Sequence, residues 1–265
     1  MLTINGNPIT INGNFINGVM GGLPPYTLRL KFKDDVTPTF SKGTGVQLST
    51  SPNIWDLTYE NPDWSQLLYS KMDLLEVING NTSNVSSTNS MFYYCNSLTS
   101  ISLFDTSNVT DMTYMFGECS ALTTVPLFDT INVSSMNGMF YECYSLSSVP
   151  LFDTSKVKNM GSMFYYCKSL SSAPMFNTSS VYSMGGMFNN CSSLISVPLY
   201  DTTNTTGMSN MFYGCSNVQY GALALYNQAS TQANPPIFHS KTFYNCGINT
   251  QTGSAELGQI PSNWK

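Results

Sequence analysis

His239 is the only histidine of this 265-residue chain, and Cys246 follows it closely. A thiol beside an imidazole is the pairing of a cysteine nucleophile with its base. Cys246 also ends Thr242-Phe243-Tyr244-Asn245-Cys246, a variant of a Met-Phe-x-x-Cys pentapeptide that recurs along the chain. That makes it a core position, and no catalysis is expected of it. Asp105, Asp129, Asp153 and Asp201 form a second candidate, a column of carboxylates interrupted by Asn177. Calcium takes six to eight oxygen ligands, and stacked carboxylates would offer some of them. Turn and helix-cap bonding explains the same column without an ion, so no metal or other cofactor is expected. Zinc is disfavoured by a single histidine and the lack of any CxxC.

Tyrosine supplies the third candidate. Tyr93, Tyr141, Tyr165, Tyr213 and Tyr244 each stand two residues after the opening residue of the pentapeptide, with Gly117 and Asn189 breaking the row. Tyr94 and Tyr166 lie beside them. With Met and Phe pointing inward, these rings are expected to be largely exposed. Such a row offers the amphipathic contact area that interfaces favour, and it is the preferred binding surface. Small hydroxylated positions such as Thr123, Thr124, Ser147, Ser148, Ser171 and Ser172 offer a second, plainer surface.

One period positions all of these residues. Cys95, Cys119, Cys143, Cys167, Cys191 and Cys215 recur every 24 residues, each closing a pentapeptide opened by Met91, Met115, Met139, Met163, Met187 or Met211. A fixed period between roughly 20 and 50 residues marks a solenoid or propeller. The cysteines, Cys246 included, read as a ladder of reduced thiols in the stack. A disulfide between neighbouring rungs is the alternative, since stacked strands lie about 4.8 Å apart.

Within one repeat, Val109, Met112, Met115, Phe116 and Cys119 share one face of a helix about three turns long. Thr106 or Ser107 would supply its N-cap. Leu122, Val125 and Leu127 then have strand character, cut short by Pro126, Pro150, Pro174 and Pro198, which cannot donate to a ladder. The expected fold is an α/β repeat, a solenoid of 24-residue helix-strand turns with a small β-rich N-terminal module.

That module is assigned to 1–60. Ile-Asn-Gly recurs at Ile4, Ile11 and Ile16, giving small hairpins or an arm that orders on a partner. Tyr26 to Lys33 alternates as a half-buried strand, and Val46–Leu48 and Ile54–Leu57 are two further strands. The repeats span 61–218. Within them 61–90 form a divergent N-terminal cap, where Trp64 stands for Met112 and Lys71 for the thiol. Residues 219–265 hold an insertion, a partial repeat and a tail over the C-terminal end.

The run Phe104-Asp105-Thr106-Ser107-Asn108-Val109 followed by Met115-Phe116-Gly117-Glu118-Cys119-Ser120-Ala121-Leu122 resembles the 26-residue repeat of bacterial surface proteins, related to BspA-type leucine-rich repeats. The resemblance covers roughly 62–218 and 241–247. It implies a leucine-rich-repeat-like fold, a non-catalytic role and surface adhesion. The period here is 24 rather than 26. The start, Met1 to Gly6, lacks the charged and apolar regions of a secretory signal. Parts of the leader, around Tyr26–Phe32 and Asn53–Leu57, are similar to segments of gut bacteriophage fibre proteins.

Charged residues are 9% of the chain and the net charge is −5, so no basic surface is available for nucleic acid. No stretch approaches the ~20 apolar residues of a membrane span. The expected protein is a non-enzymatic virion component, a fibre or capsid decoration. It would bind a host-surface glycan or protein, with 1–60 contacting other virion proteins or forming a homo-oligomer. The alternative is a bacterial surface adhesin or a secreted interaction protein.

Overall fold

The computed structural model describes residues 23–265 throughout. Before them it describes the backbone of two antiparallel pairs, β1 (Thr3–Ile4) with β2 (Asn7–Pro8) and β3 (Thr10–Ile11) with β4 (Asn14–Phe15). Whether the leader orders on a partner lies outside the described residues.

Alternation in Thr27–Phe32 produces β5, whose Leu28, Leu30 and Phe32 are buried while Arg29 and Lys31 point outward. It pairs antiparallel with β7 (Asn53–Thr58) and β8 (Leu74–Asn81). β6 (Thr44–Thr50) and β9 (Ser100–Ile101) complete a sheet of order β6-β7-β5-β8-β9. The outward cations find carboxylates on neighbouring strands, Arg29 with Asp56 at 2.8 Å and Lys31 with Glu76 at 3.8 Å, and just past the strand ends Lys33 meets Asp73 at 3.3 Å. A boundary at 60 therefore falls inside one sheet. β8 belongs to the cap repeat and β9 to the next, yet both complete the leader's sheet.

From Trp64 onward the chain repeats as stacked turns. The expected helix is not there. Among the described residues, α-helix occurs only in α1 (Ala222–Thr231) and α2 (Gln251–Gln259), both beyond the regular repeats. The physical reason lies in the backbone. The residues just before the pentapeptide and just before its cysteine are left-handed in rung after rung: Ser90 and Tyr94, Tyr114 and Glu118, Gly138 and Glu142, Ser162 and Tyr166. A left-handed residue every fourth position prevents an α-helix from propagating.

Their amides go between rungs instead. Met112, Tyr114, Phe116 and Glu118 donate to Ser135, Asn137, Met139 and Tyr141 of the next rung at 2.5–3.1 Å, while Met115, Gly117 and Cys119 bond three residues back. The backbone alternates between a local turn and an inter-rung ladder, which satisfies its polar groups without helix. A line of parallel bridges, Asp63–Ser87–Asp111–Ser135–Asn159–Ser183–Gly207, runs beside it.

The expected strand is also corrected. Beyond β9, Leu122–Leu127 and its counterparts form no strand apart from one bridge, Ser196 with Tyr220. Single bonds such as Ser147 N–H to the Thr123 carbonyl remain, and the prolines supply no further donors. Thr106 caps no helix. Its hydroxyl donates to the Asp129 carbonyl of the next rung at 2.7 Å, as Thr130 does to Asp153 and Thr154 to Asn177.

The inward residues are those the period marks. Met, Phe, Cys and Leu positions join one buried cluster running from Leu28 to Trp264. Phe92, Phe116, Phe140, Phe164, Phe188, Phe212 and Phe243 stack with neighbouring centroids 5.3–6.0 Å apart and planes within 14°. Trp264 of the terminal 3-10 turn continues the column at 6.3 Å, and its carbonyl takes the Phe243 N–H. The tail thus closes the last rung with an aromatic plane and a hydrogen-bond acceptor. The insertion contains α1, which buries Ala222, Leu225 and Ala229.

Candidate functional site

The tyrosines stand on the turn whose alternate amides tie neighbouring rungs together, so their spacing is the rung spacing. Tyr141 and Tyr165 stack at 4.9 Å with planes 5° apart, and Tyr213 and Tyr244 at 4.9 Å and 16°. Tyr93 stacks on Tyr69 at 5.4 Å. Their exposure is lower than the sequence suggests. Tyr93, Tyr141, Tyr165 and Tyr213 are half-buried, because each ring covers the face of its neighbour and leaves edges and hydroxyls to solvent. Only Tyr244 is exposed, at 39%.

Two members of this row do not follow from the pentapeptide position in the regular repeats. Tyr69 is Tyr93 less one period, in the cap, and the same subtraction that finds the cap would find it. Tyr114 comes from a different column and fills the interruption at Gly117: it meets Tyr93 at 5.8 Å and Tyr141 at 5.7 Å, edge to face on both sides. The result is one aromatic surface from Tyr69 to Tyr165. Asn189, itself buried, separates it from the Tyr213–Tyr244 pair.

Polar groups border the rings. Tyr93 Oη donates to Glu118 Oε1 at 2.7 Å, and Tyr144 donates to Glu142. Glu142 beside it pushes the Tyr144 hydroxyl up to about 12, and burial with Glu118 raises that of Tyr93. Lys168 Nζ lies 5.2 Å from the Tyr144 ring and 5.4 Å from Tyr166, a cation shared by two aromatic faces. Two grooves follow, about 440 Å³ beside Tyr69, Tyr93, Tyr114 and Glu118, and about 500 Å³ beside Tyr165, Tyr166, Asn190 and Tyr213.

All seven cysteines, from Cys95 to Cys246, are buried and free. Each regular thiol donates to a backbone carbonyl one rung earlier, Cys95 to Leu68 at 3.2 Å in the cap and the others to a phenylalanine, as Cys119 does to Phe92 at 3.1 Å and Cys143 to Phe116 at 3.0 Å. Burial pushes the Cys95 thiol up to about 12 and raises Cys119 and Cys246 too. A reactive thiolate needs the opposite shift. His239 stacks on Trp264 at 4.2 Å, as part of the closed end.

The aspartate column is explained by its turns. Asp105, Asp129, Asp153 and Asp201 each accept the N–H two residues on at 2.9–3.1 Å, and Asn177 does likewise. The bonds from Ser155 and Thr203 hold the Asp153 and Asp201 carboxyls below the ordinary carboxylate value. Among the described residues, no three His, Cys, Asp or Glu side chains gather as a metal site. No helix there is long and apolar enough to cross a membrane.

A stacked-turn repeat with an aromatic strip on one side defines a class of repeat protein. A family model described as "Mycoplasma protein of unknown function, DUF285" matches residues 65–174 and 147–251. The chain belongs to that family. A leucine-rich repeat protein from Eubacterium ventriosum, seen in a crystal structure, is similar at 18% identity with a TM-score of 0.39. The likeness covers 62% of this chain and 45% of that one, so this chain spans less than half of that protein's length. No curated protein matches.

Proposed function

We propose that this chain is a non-enzymatic, solenoid-type binding protein whose tyrosine face contacts a glycan or protein on a host surface. The observation that carries this reading is the paired Tyr141 and Tyr165 rings, flanked by Tyr144, Tyr166 and Lys168. Rigid stacked rings offer contact area with little conformational entropy left to lose on binding, and their hydroxyls offer donors to polar ligands. The face is displayed outside a cell, on a bacterial surface or on a virion fibre or capsid decoration. In either setting the leader with its sheet is the attachment module.

The test is binding of the full chain to intact host cells and to an immobilised glycan panel, with wild type beside Tyr141→Ala/Tyr165→Ala. Binding should fall by at least about tenfold, equivalent to about 1.4 kcal/mol. Unchanged binding would move the site off this face. Cleavage of any panel glycan would replace the binding reading with an enzymatic one. Labelled antibody on cells and on purified particles separates the two settings.

A further inference from the structure

A second surface runs along the stack and uses none of the tyrosines. The residue just before Phe104, Phe128, Phe152, Phe176 and Tyr200 is apolar and exposed in five successive rungs: Leu103 58%, Leu127 59%, Leu151 62%, Met175 61% and Leu199 53%. Scattered exposed leucines need no explanation, but a contiguous line of five does. Along each turn, Thr123 and Thr124 precede Leu127 and Asp129 follows it, all exposed. The stripe thus has a hydroxyl flank, continued by Ser147, Ser148, Ser171 and Ser172, and a carboxylate flank of Asp105, Asp129, Asp153 and Asp201. Leu103, Asp105, Leu127 and Asp129 line one groove, so the apolar and acidic columns adjoin.

We propose that this stripe is the interface of a parallel two-fold dimer of the chain. A second copy carries the same stripe at the same rung spacing, so side chains meet in register along all five rungs. Orientation follows from the flanks. With the two-fold axis along the stripe, the carboxylates of one copy face the Ser and Thr hydroxyls of the other, and each carboxylate keeps an oxygen to accept from them. Turned antiparallel, the copies would set the carboxylate columns against one another, which costs free energy through like-charge repulsion. Five rungs at about 4.8 Å and a width of five or six residues give a contact of roughly 400 Å² per chain. The total of about 800 Å² lies below the roughly 1,200 Å² at which standard interfaces begin, so the dimer is a weak, transient one that forms reversibly as concentration rises.

The experiment uses the full chain. Light scattering between about 5 and 500 µM should show the mass rising from one chain to two, a range suited to a weak interface. Leu151→Asp should move the midpoint at least about tenfold higher. Leu103→Cys, an exposed change read beside circular dichroism, should give a covalent dimer on mild oxidation, because the native thiols are buried and protonated. A monomer at every concentration overturns the proposal, as does a dimer indifferent to Leu151→Asp. Cross-linking that requires Leu103→Cys paired with Leu199→Cys overturns the parallel arrangement. A monomer that self-associates only after removal of 1–22 would give the stripe to the leader and sink the dimer.

Discussion

Tyr114 lies over Gly138, the residue one period later in the same left-handed column, and its ring fills the space where a Cβ on Gly138 would stand. The same arrangement recurs between Tyr93 and Gly117, where an added Cβ would come within 2.5 Å of the ring. Each tyrosine leans over the next rung, and glycine there is what admits it.

Gly138→Ala should destabilise the chain by about 2–4 kcal/mol, from overlap with the Tyr114 ring and a left-handed φ of 61°. Adding Tyr114→Ala should recover the steric part and leave about 1 kcal/mol of backbone cost. Urea midpoints of the two single variants and the double variant give the coupling. Additive effects would show that the ring does not occupy that space.

Ser162→Gly should stabilise by about 0.5–1 kcal/mol. Ser162 holds a φ of 54°, while its column neighbours Gly138 and Gly186 already use glycine. A lowered urea midpoint would mean that serine contributes more than its backbone strain costs.

Phe164→Ala should cost about 3–5 kcal/mol, since it opens the aromatic column between Phe140 and Phe188 at a fully buried position. Thermal or urea unfolding measures it. A loss under about 1 kcal/mol would show that the rungs on either side collapse over the gap.

The thiol ladder predicts an alkaline transition. Folded Cys95 keeps its proton to about 12, against an ordinary value of 9.0, and Cys119 and Cys167 shift the same way through burial. Above pH 9 the unfolded chain binds fewer protons than the folded one, so stability is full below pH 9 and falls as pH rises towards 12. Each such thiol contributes a slope of up to about 1.4 kcal/mol per pH unit. Denaturation at stepped pH should show Cys119→Ala/Cys167→Ala flattening the slope. An unchanged slope would take these two thiols out of the transition.

Much of the core was legible. The 24-residue period and the apolar character of Met115, Phe116, Cys119 and Leu122 mark them as inward, and they are fully buried. So was the strand from Tyr26, because alternation of Leu28, Leu30 and Phe32 with cations has one half-buried solution. The exposure of the tyrosines was not legible, because it depends on the neighbouring rung. No local pattern in Tyr141 says that Tyr165 will cover its ring.

The sequence by itself determined the period, the inward set and the divergent ends, because burial of apolar side chains acts on residue type and spacing. Only the tertiary structure decided how the backbone reaches that burial. Spacings of three and four fit a helix, and they fit equally a turn in which alternate amides leave for the next rung. Left-handed Tyr114 and Glu118 are costly in isolation, and their N–H bonds to Asn137 and Tyr141 offset that cost once a neighbour is stacked. A hydrogen bond to a rung 23 residues away is not encoded in any window the size of one turn.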